Sequence, residues 1–529
     1  MKATPVLKSL LRGIAYLPFL LLVLGPMLAL LLDFGDSILV GGSDWMTLLL
    51  PQGRRLTLLL RSIGLALAVA VGGILLSILA GTALWRWRRG PASFLRWFLF
   101  VLTPIPPYLH ALGWSSFILE ISTLLASWGF PSIMLRGWVA SWWVQMMALA
   151  PLAIGVTLIG FESIDPGLVE AARMQRPDLD GFLKITLPLA VPIILAGGSF
   201  VFLLSLIDYS VPSLFQVSTY SLEIFAEFSS SNQPTRAFLL ALPLLLITLA
   251  TISFSQRALR NTPMQPPWKS RLWETPPRWS NGFRILQSIA MILLLSQILV
   301  PLISQALLAG PLENIISTVQ AAHAEIISTC WIALFTILIA LPIALPIAQK
   351  LLDKRSIWWG LVTLPLAIPS PLIGIGLINI WNHASTQNIY TSFFMPVFAA
   401  IARFTPLAAI LLFTQLRRID PILLDAARLL QKNALQSWLQ IRLPLLIPGM
   451  LGTAGILFVL TTGELGAALL VAPPGQATLT MRIFNFLHYG ASNTVAGLGL
   501  TMTVAVLLFG SMAACALAGW FLLSARRAP

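Results

Sequence analysis

Charge is scarce in this chain. Of its 529 residues only 10% are Asp, Glu, Lys or Arg, whereas soluble domains carry about a quarter, so a water-soluble globule is excluded. Two cysteines, Cys330 and Cys515, allow no disulfide framework and no thiolate metal site; both sit in apolar stretches and read as small packing residues. The four histidines, His110, His323, His383 and His488, share no spacing, so no metal site is expected and interfacial packing is their reading. No G-x-x-x-x-G-K-[ST] loop occurs, and Gly-Lys appears nowhere, which excludes a phosphate-loop ATP site. The aqueous segments hold neither paired carboxylates nor a nucleophile setting. No catalytic residue or cofactor is expected, and the chain is not read as an enzyme.

What fills the sequence is apolar: 57% of it is hydrophobic. Runs of the roughly 20 residues that cross a bilayer recur from end to end, without the alternation a β-barrel strand needs. The fold class expected is an all-α polytopic membrane protein of about 12 spans: Ile14–Leu32, Ser62–Leu84, Leu95–Phe117, Gly137–Leu158, Leu189–Ile207, Ala237–Phe254, Ile285–Leu308, Ile326–Ala348, Trp359–Trp381, Phe394–Leu416, Leu445–Val471 and Val495–Phe521. The first is read as a retained span, not a signal peptide. The net charge of +14 is membrane topology and not nucleic-acid binding, because Lys and Arg gather in short loops on one side. These are the N-terminal arm, Arg86 to Arg96, the stretch 257–284, Lys350 to Arg355 and the tail, which puts both termini in the cytoplasm. Trp85, Trp87, Trp97, Trp358 and Trp359 read as interface markers on that side, and Pro104, Pro106 and Pro107 as a kink in span 3.

The segment VEAARMQRPDLDGFLKITLPLAVP, from Val169, is a charged island in this apolar chain, and the chain writes it twice. ESIDPGLVEAARM from Glu162 matches RRIDPILLDAARL from Arg417, and ITLPLAVP from Ile185 matches IRLPLLIP from Ile441. FLLSLIDY from Phe202 aligns with FVLTTGEL from Phe458. A match over about 45 positions marks internal duplication. Six spans separate the copies, so the halves share one orientation and are related by an axis along the membrane normal. The expected organisation is a first half at 1–256 (core about 58–256, island 161–188), a cytoplasmic linker at 257–284 lying on the membrane surface, and a second half at 285–529 (core about 322–524, island 417–444). Each Asp-Pro followed by acid-Ala-Ala is a helix-start signal. The expected form is a short amphipathic helix whose exposed acid and Ala-Ala face suit a groove on a partner.

These residues resemble the EAA loop of permease subunits of binding-protein-dependent ABC importers, EAA-x3-G-x9-I-x-LP. The second copy keeps that spacing with Asp425, Ala426, Ala427, Ile441, Leu443 and Pro444. The first, with Glu170, Ala171, Ala172, Ile185, Leu187 and Pro188, is one residue shorter. Both lack the family's glycine, where Arg176 and Gln431 stand, and Asp425 replaces a Glu. The resemblance implies a type I importer fold in the bacterial inner membrane. It also implies coupling through Glu170, Ala171, Ala172 and Pro188, and through Asp425, Ala426, Ala427 and Pro444. The partners implied are a separate ATP-binding cassette ATPase in two copies and a periplasmic solute-binding protein. Fusion of two halves, and the run ELGAALLVAPPGQATLTMRI, resemble the ferric-iron and thiamine subgroups, with ferric iron the first expectation and thiamine the second.

One clue to the solute comes from the residues themselves. Asp208 and Glu464 occupy matching positions near the outer ends of spans 5 and 11, and an ionisable group at membrane depth faces a cavity, a partner or the interface. Facing each other across a path, they would favour a cation; at helix ends, they would reach out to water. The competing class is an ion- or proton-coupled carrier with two six-helix halves, which leaves the duplicated islands unexplained.

Overall fold

In the computed structural model, residues 15–39, 48–86, 105–132, 134–261, 277–353, 356–417, 419, 438–489 and 492–526 are described. Among them every regular element is helical. Eleven helices are long and apolar enough to cross a bilayer: Leu17–Asp36, Arg54–Arg86, Pro107–Ser127, Gly137–Glu162, Asp178–Ile207, Pro234–Ser255, Asn281–Ala309, His323–Lys350, Phe394–Arg417, Trp438–Thr462 and Asn493–Met512. Trp358–Leu366 and Ser370–Trp381 form one further span bent by 104°. In chain order these are spans 1 to 12, the bent pair being span 9.

Three boundaries differ from expectation, each for a backbone reason. Span 9 is broken because Pro365, Pro369 and Pro371 fall within seven residues; Pro369 sits at φ −56°, ψ 139°, and no helix continues through that conformation. Span 3 opens in the same way, with Pro106 at φ −56°, ψ 137° ahead of Pro107–Ser127. Pro106 and Pro107, expected to kink span 3, therefore start it, and expected residues 95–104, Pro104 among them, lie outside the described ones. Span 11 ends at Thr462, and Ala468–Val471 is a separate short helix.

Spans 2, 4 and 5 pack on one another, as do spans 8, 10 and 11. Small residues let these helices approach closely: the hydroxyls of Ser77 and Thr157 bond at 2.8 Å across spans 2 and 4. Spans 1 and 7 pack crosswise. Phe19, Val23 and Leu24 of span 1 are buried among Ile337, Ile401 and Leu412 of spans 8 and 10. Ala290, Met291 and Leu294 of span 7 are buried among Ala80, Leu84 and Ile154 of spans 2 and 4. Two glycines fix the crossing. A Cβ on Gly376 would lie 2.3 Å from the carbonyl oxygen of Pro26 in span 1, and one on Gly113 would lie 2.4 Å from Cα of Pro301 in span 7.

Other expectations give way to burial. Trp85 is packed on Phe161 at 5.5 Å and Trp359 on Phe413 at 5.0 Å, so neither marks an interface. His110 is fully buried in span 3 facing Gln297 of span 7, not interfacial; the side chain of His488 lies outside the described residues. Cys330 and Cys515 are exposed on their spans instead of packed. The helix of span 6 continues to Asn261 and that of span 7 begins at Asn281. Trp279, at the end of the linker, is buried against Phe182 and not laid on the surface.

Candidate coupling element and central polar cluster

The first island folds as expected at its start. Asp165 caps the helix Pro166–Gln175, its carboxylate accepting the Gly167 N–H at 2.8 Å, with Pro166 at the first helical position. Such a cap stabilises a short helix by about 1 kcal/mol. The Ala-Ala pair does not present one face. Ala172 is buried and lies against Gly181, while Ala171 points outward with Glu170, Leu168 and Met174, the last 88% exposed. The presented surface is therefore Leu168, Glu170, Ala171 and Met174.

The bend that the family makes with glycine is made here by Arg176-Pro177. A residue before proline is driven out of the helical region, and Arg176 is extended at φ −144°, ψ 154°. Ion pairs hold the bend closed: Arg173 to Asp178 at 2.8 Å, Arg176 to Asp180 at 2.9 Å and Lys184 to Asp180 at 2.7 Å. Asp178 also accepts the backbone N–H of Arg278. The far end of the linker is thereby fastened to the first island.

Asp425, Ala426 and Ala427 of the second island lie outside the described residues; its exit does not. A single π-helical turn, Phe182–Thr186 in the first copy and Trp438–Arg442 in the second, leads into the Leu-Pro pairs Leu187-Pro188 and Leu443-Pro444. Pro188 has no N–H to donate and its ring clashes with the carbonyl four residues back. The helix opens by one residue instead, and Leu187 N–H bonds to Phe182 O. The chain thus re-enters as a continuous helix from Asp178 to Ile207, not by a sharp turn.

At the other end of spans 5 and 11 the two duplicated acids are drawn inward, not out to water. Asp208, just past its helix, accepts from Gln145 Nε2 at 2.8 Å, Ser210 N at 3.0 Å and Ser210 Oγ at 2.6 Å. Gln145 Oε1 in turn accepts from Ser205 at 2.6 Å. Glu464 is 6% exposed, pairs with Arg403 of span 10, and accepts the Ala467 N–H at 2.9 Å. Tyr209, next to Asp208 in the chain, stacks its ring on Phe225 at 6.0 Å and feels the charge of Asp208, Glu464 and Arg403. The segment carrying Glu464 is wedged tightly. A Cβ on Gly463 would lie 3.1 Å from Pro106 of span 3, and one on Gly466 would lie 2.0 Å from Ser370 and 3.3 Å from Tyr209. Two free acids facing each other is therefore not the arrangement found, since Arg403 neutralises one of them.

A further repeat emerges only in three dimensions. The helices Tyr220–Ser231 and Leu479–Tyr489 each begin by donating their first N–H, at 2.9 Å, to a hydroxyl: Ser62 of span 2 and Thr329 of span 8. Ser221 and Thr480 then donate to the carbonyls of Leu206 and Thr462. Ion pairs fasten each helix with the signs exchanged, Arg54 to Glu223 and Arg55 to Glu227 in the first case, Glu325 to Arg482 in the second.

No protein-family model matches the chain. Individual relatives do. A Fe(3+)-transport system permease protein of Haemophilus influenzae is 22% identical over 454 residues, 82% of this chain and 85% of that one. A putative 2-aminoethylphosphonate transport system permease protein of Salmonella choleraesuis is 29% identical over 193 residues, 36% of this chain and 70% of the relative. A putrescine transport system permease protein of Escherichia coli is 24% identical over 167 residues, 31% of this chain and 57% of the relative. The chain is similar to the permease subunits of ABC-type transport systems. The first Salmonella relative is about half as long as this permease, as the two shares of one alignment require, and the matched stretch spans about two thirds of its length. The iron-system relative runs through both halves. The apolar spans together with the similarity to these permeases indicate a multi-pass protein of the inner membrane.

The sequence reading missed three members of the permease's central cluster. Arg403 had a signal, a single guanidinium inside the apolar run FMPVFAAIARFTPLAAILLF, since a charge there demands a partner. Gln145 had a weaker one, and Tyr209, beside Asp208, had none.

Proposed function

We propose that this permease forms the whole transmembrane path of a binding-protein-dependent importer, with residues 1–256 and 285–529 as its two halves, 257–284 as the link and both termini in the cytoplasm. Each half carries one coupling element. Glu170, Ala171, Ala172 and Pro188 serve the first; Asp425, Ala426, Ala427 and Pro444 serve the second. Two copies of a separate ATP-binding cassette dock on them, and a periplasmic binding protein delivers the solute on the opposite face. ATP-driven closure of the cassettes moves the docked helices, and the packed halves rock between outward and inward openings. The observation that carries this reading is the rigid first element. A capped helix, clamped by Arg173–Asp178 and by the linker, offers Glu170, Ala171 and Met174 to a partner. Force applied to such a helix is transmitted and not absorbed.

Asp208 and Glu464 are the candidate path residues. Ferric iron is the solute the reading favours, supported by the run after span 11 and by the iron-system relative that aligns through both halves; thiamine follows. Deleting the permease should abolish uptake of labelled ferric iron, and wild-type protein should restore it without competition from unlabelled thiamine. Iron uptake unchanged by the deletion would retire iron as the solute.

A further inference from the structure

Tyr209 presents a buried hydroxyl with nothing to bind. The residue is 5% exposed, and its Oη has no hydrogen-bond partner among the described residues. An unmade hydrogen bond of this kind costs free energy, and most buried polar groups avoid it. Tyr209 follows Asp208 in the chain, its ring edge lies 3.3 Å from where a Cβ on Gly466 would sit, and it feels the charge of both Asp208 and Glu464. Both carboxylates keep acceptor capacity: Asp208 takes three donors and Glu464 takes the Ala467 N–H and Arg403. A carboxylate can accept about four. Arg403 comes from span 10, on a separate element from both acids, and reaches across to Glu464 as the only cation there among the described residues.

We propose that Asp208, Tyr209 and Glu464 form a way station for the positively charged group of the solute, and that the Arg403 guanidinium holds its place while the path is empty. This rests on the reading of Asp208 and Glu464 as path residues, and it names what the acids receive. When the solute arrives, its charge takes over Glu464, Arg403 swings away, and the Tyr209 oxygen adds a further ligand to those of the two acids. A metal cation and an ammonium group present the same chemistry to these oxygens. Ferric iron, thiamine, putrescine and 2-aminoethylphosphonate all carry such a positive group, so they serve as the probes.

The test is Tyr209→Phe in the full chain, produced with its partner subunits in cells lacking their own copy. Separate arms receive labelled ferric iron, thiamine, putrescine or 2-aminoethylphosphonate. Removing an unpartnered hydroxyl leaves every bond of the empty state in place, so the variant should reach wild-type amounts with an equal or higher melting temperature. Its initial uptake rate, in whichever arm the wild type supports, should fall about tenfold, the loss of one hydrogen bond to a charged group. The arm that responds identifies the source of the charge. A second variant, Arg403→Glu with Glu464→Arg, keeps an ion pair but moves the acid away from Tyr209, and its uptake should fall as well. Wild-type uptake by Tyr209→Phe would overturn the way station and leave the path reading standing. Failure of Tyr209→Phe to accumulate would make the hydroxyl structural and overturn the way station equally. A wild type that moves none of the four would overturn the path reading itself.

Discussion

Valine at both Gly113 and Gly376 is expected to cut the folded permease in the membrane to below about a tenth of the wild-type amount. Each added Cβ lands 2.3 to 2.4 Å from backbone atoms of Pro26 or Pro301, which cannot rotate aside as a side chain would. Overpacking of this kind costs about 1–3 kcal/mol per site, and about 1.4 kcal/mol already changes a population tenfold. The two contacts are equivalent: each joins the first span of one half to the helix that follows a proline break in the other. The single variants should each show part of the loss. Gly64→Val is the control, because nothing lies within 4 Å of that position. Monodisperse protein recovered from solubilised membranes is the measurement. Normal recovery of the double variant would mean that spans 1 and 7 do not hold the halves by this crossing.

Reversing charge at the proposed coupling elements should have the opposite signature, full assembly with no transport. Glu170 is exposed, so Glu170→Lys removes nothing the fold uses; Asp425 lies outside the described residues and is changed by analogy with its duplicate. A lysine at a docked acid replaces attraction by like-charge repulsion or an unpaired charge, which costs several kcal/mol at an interface. Uptake by Glu170→Lys with Asp425→Lys should fall more than about 100-fold, the equivalent of about 2.7 kcal/mol. The amount in the membrane should stay within about twofold, as expected for exposed substitutions. Either single variant should be milder, since one element remains docked. Uptake retained by the double variant would remove these residues from the coupling role.

What was legible in the sequence was whatever repeats or periodicity writes locally. The apolar runs gave twelve spans, and the Asp-Pro and Leu-Pro pairs gave the first island and the exit of the second. The offset between Asp208 and Glu464 marked them as equivalent. What stayed hidden was set by contacts between distant segments. Nothing near Pro26 announces that it meets Gly376, and nothing near Trp279 announces burial beneath the first island. Backbone detail was half legible. The prolines of span 9 signalled disruption, but whether they kink a helix or end one depends on the following turn, and here Pro369 ends it. The family's missing glycine had its substitute in plain sight, since Arg176 precedes a proline. The acids at Asp208 and Glu464 were found, but their surroundings were not, because Arg403 and Gln145 arrive from another span.

The most direct measurement is the native mass of the affinity-purified full chain from its own cells, solubilised with its partners. The expected result is one permease carrying two copies of an ATP-binding subunit, reduced to the permease alone by Glu170→Lys with Asp425→Lys. A wild-type chain that carries no such subunit, and still concentrates its solute in vesicles from an ion gradient without ATP, would contradict the importer assignment and return the carrier.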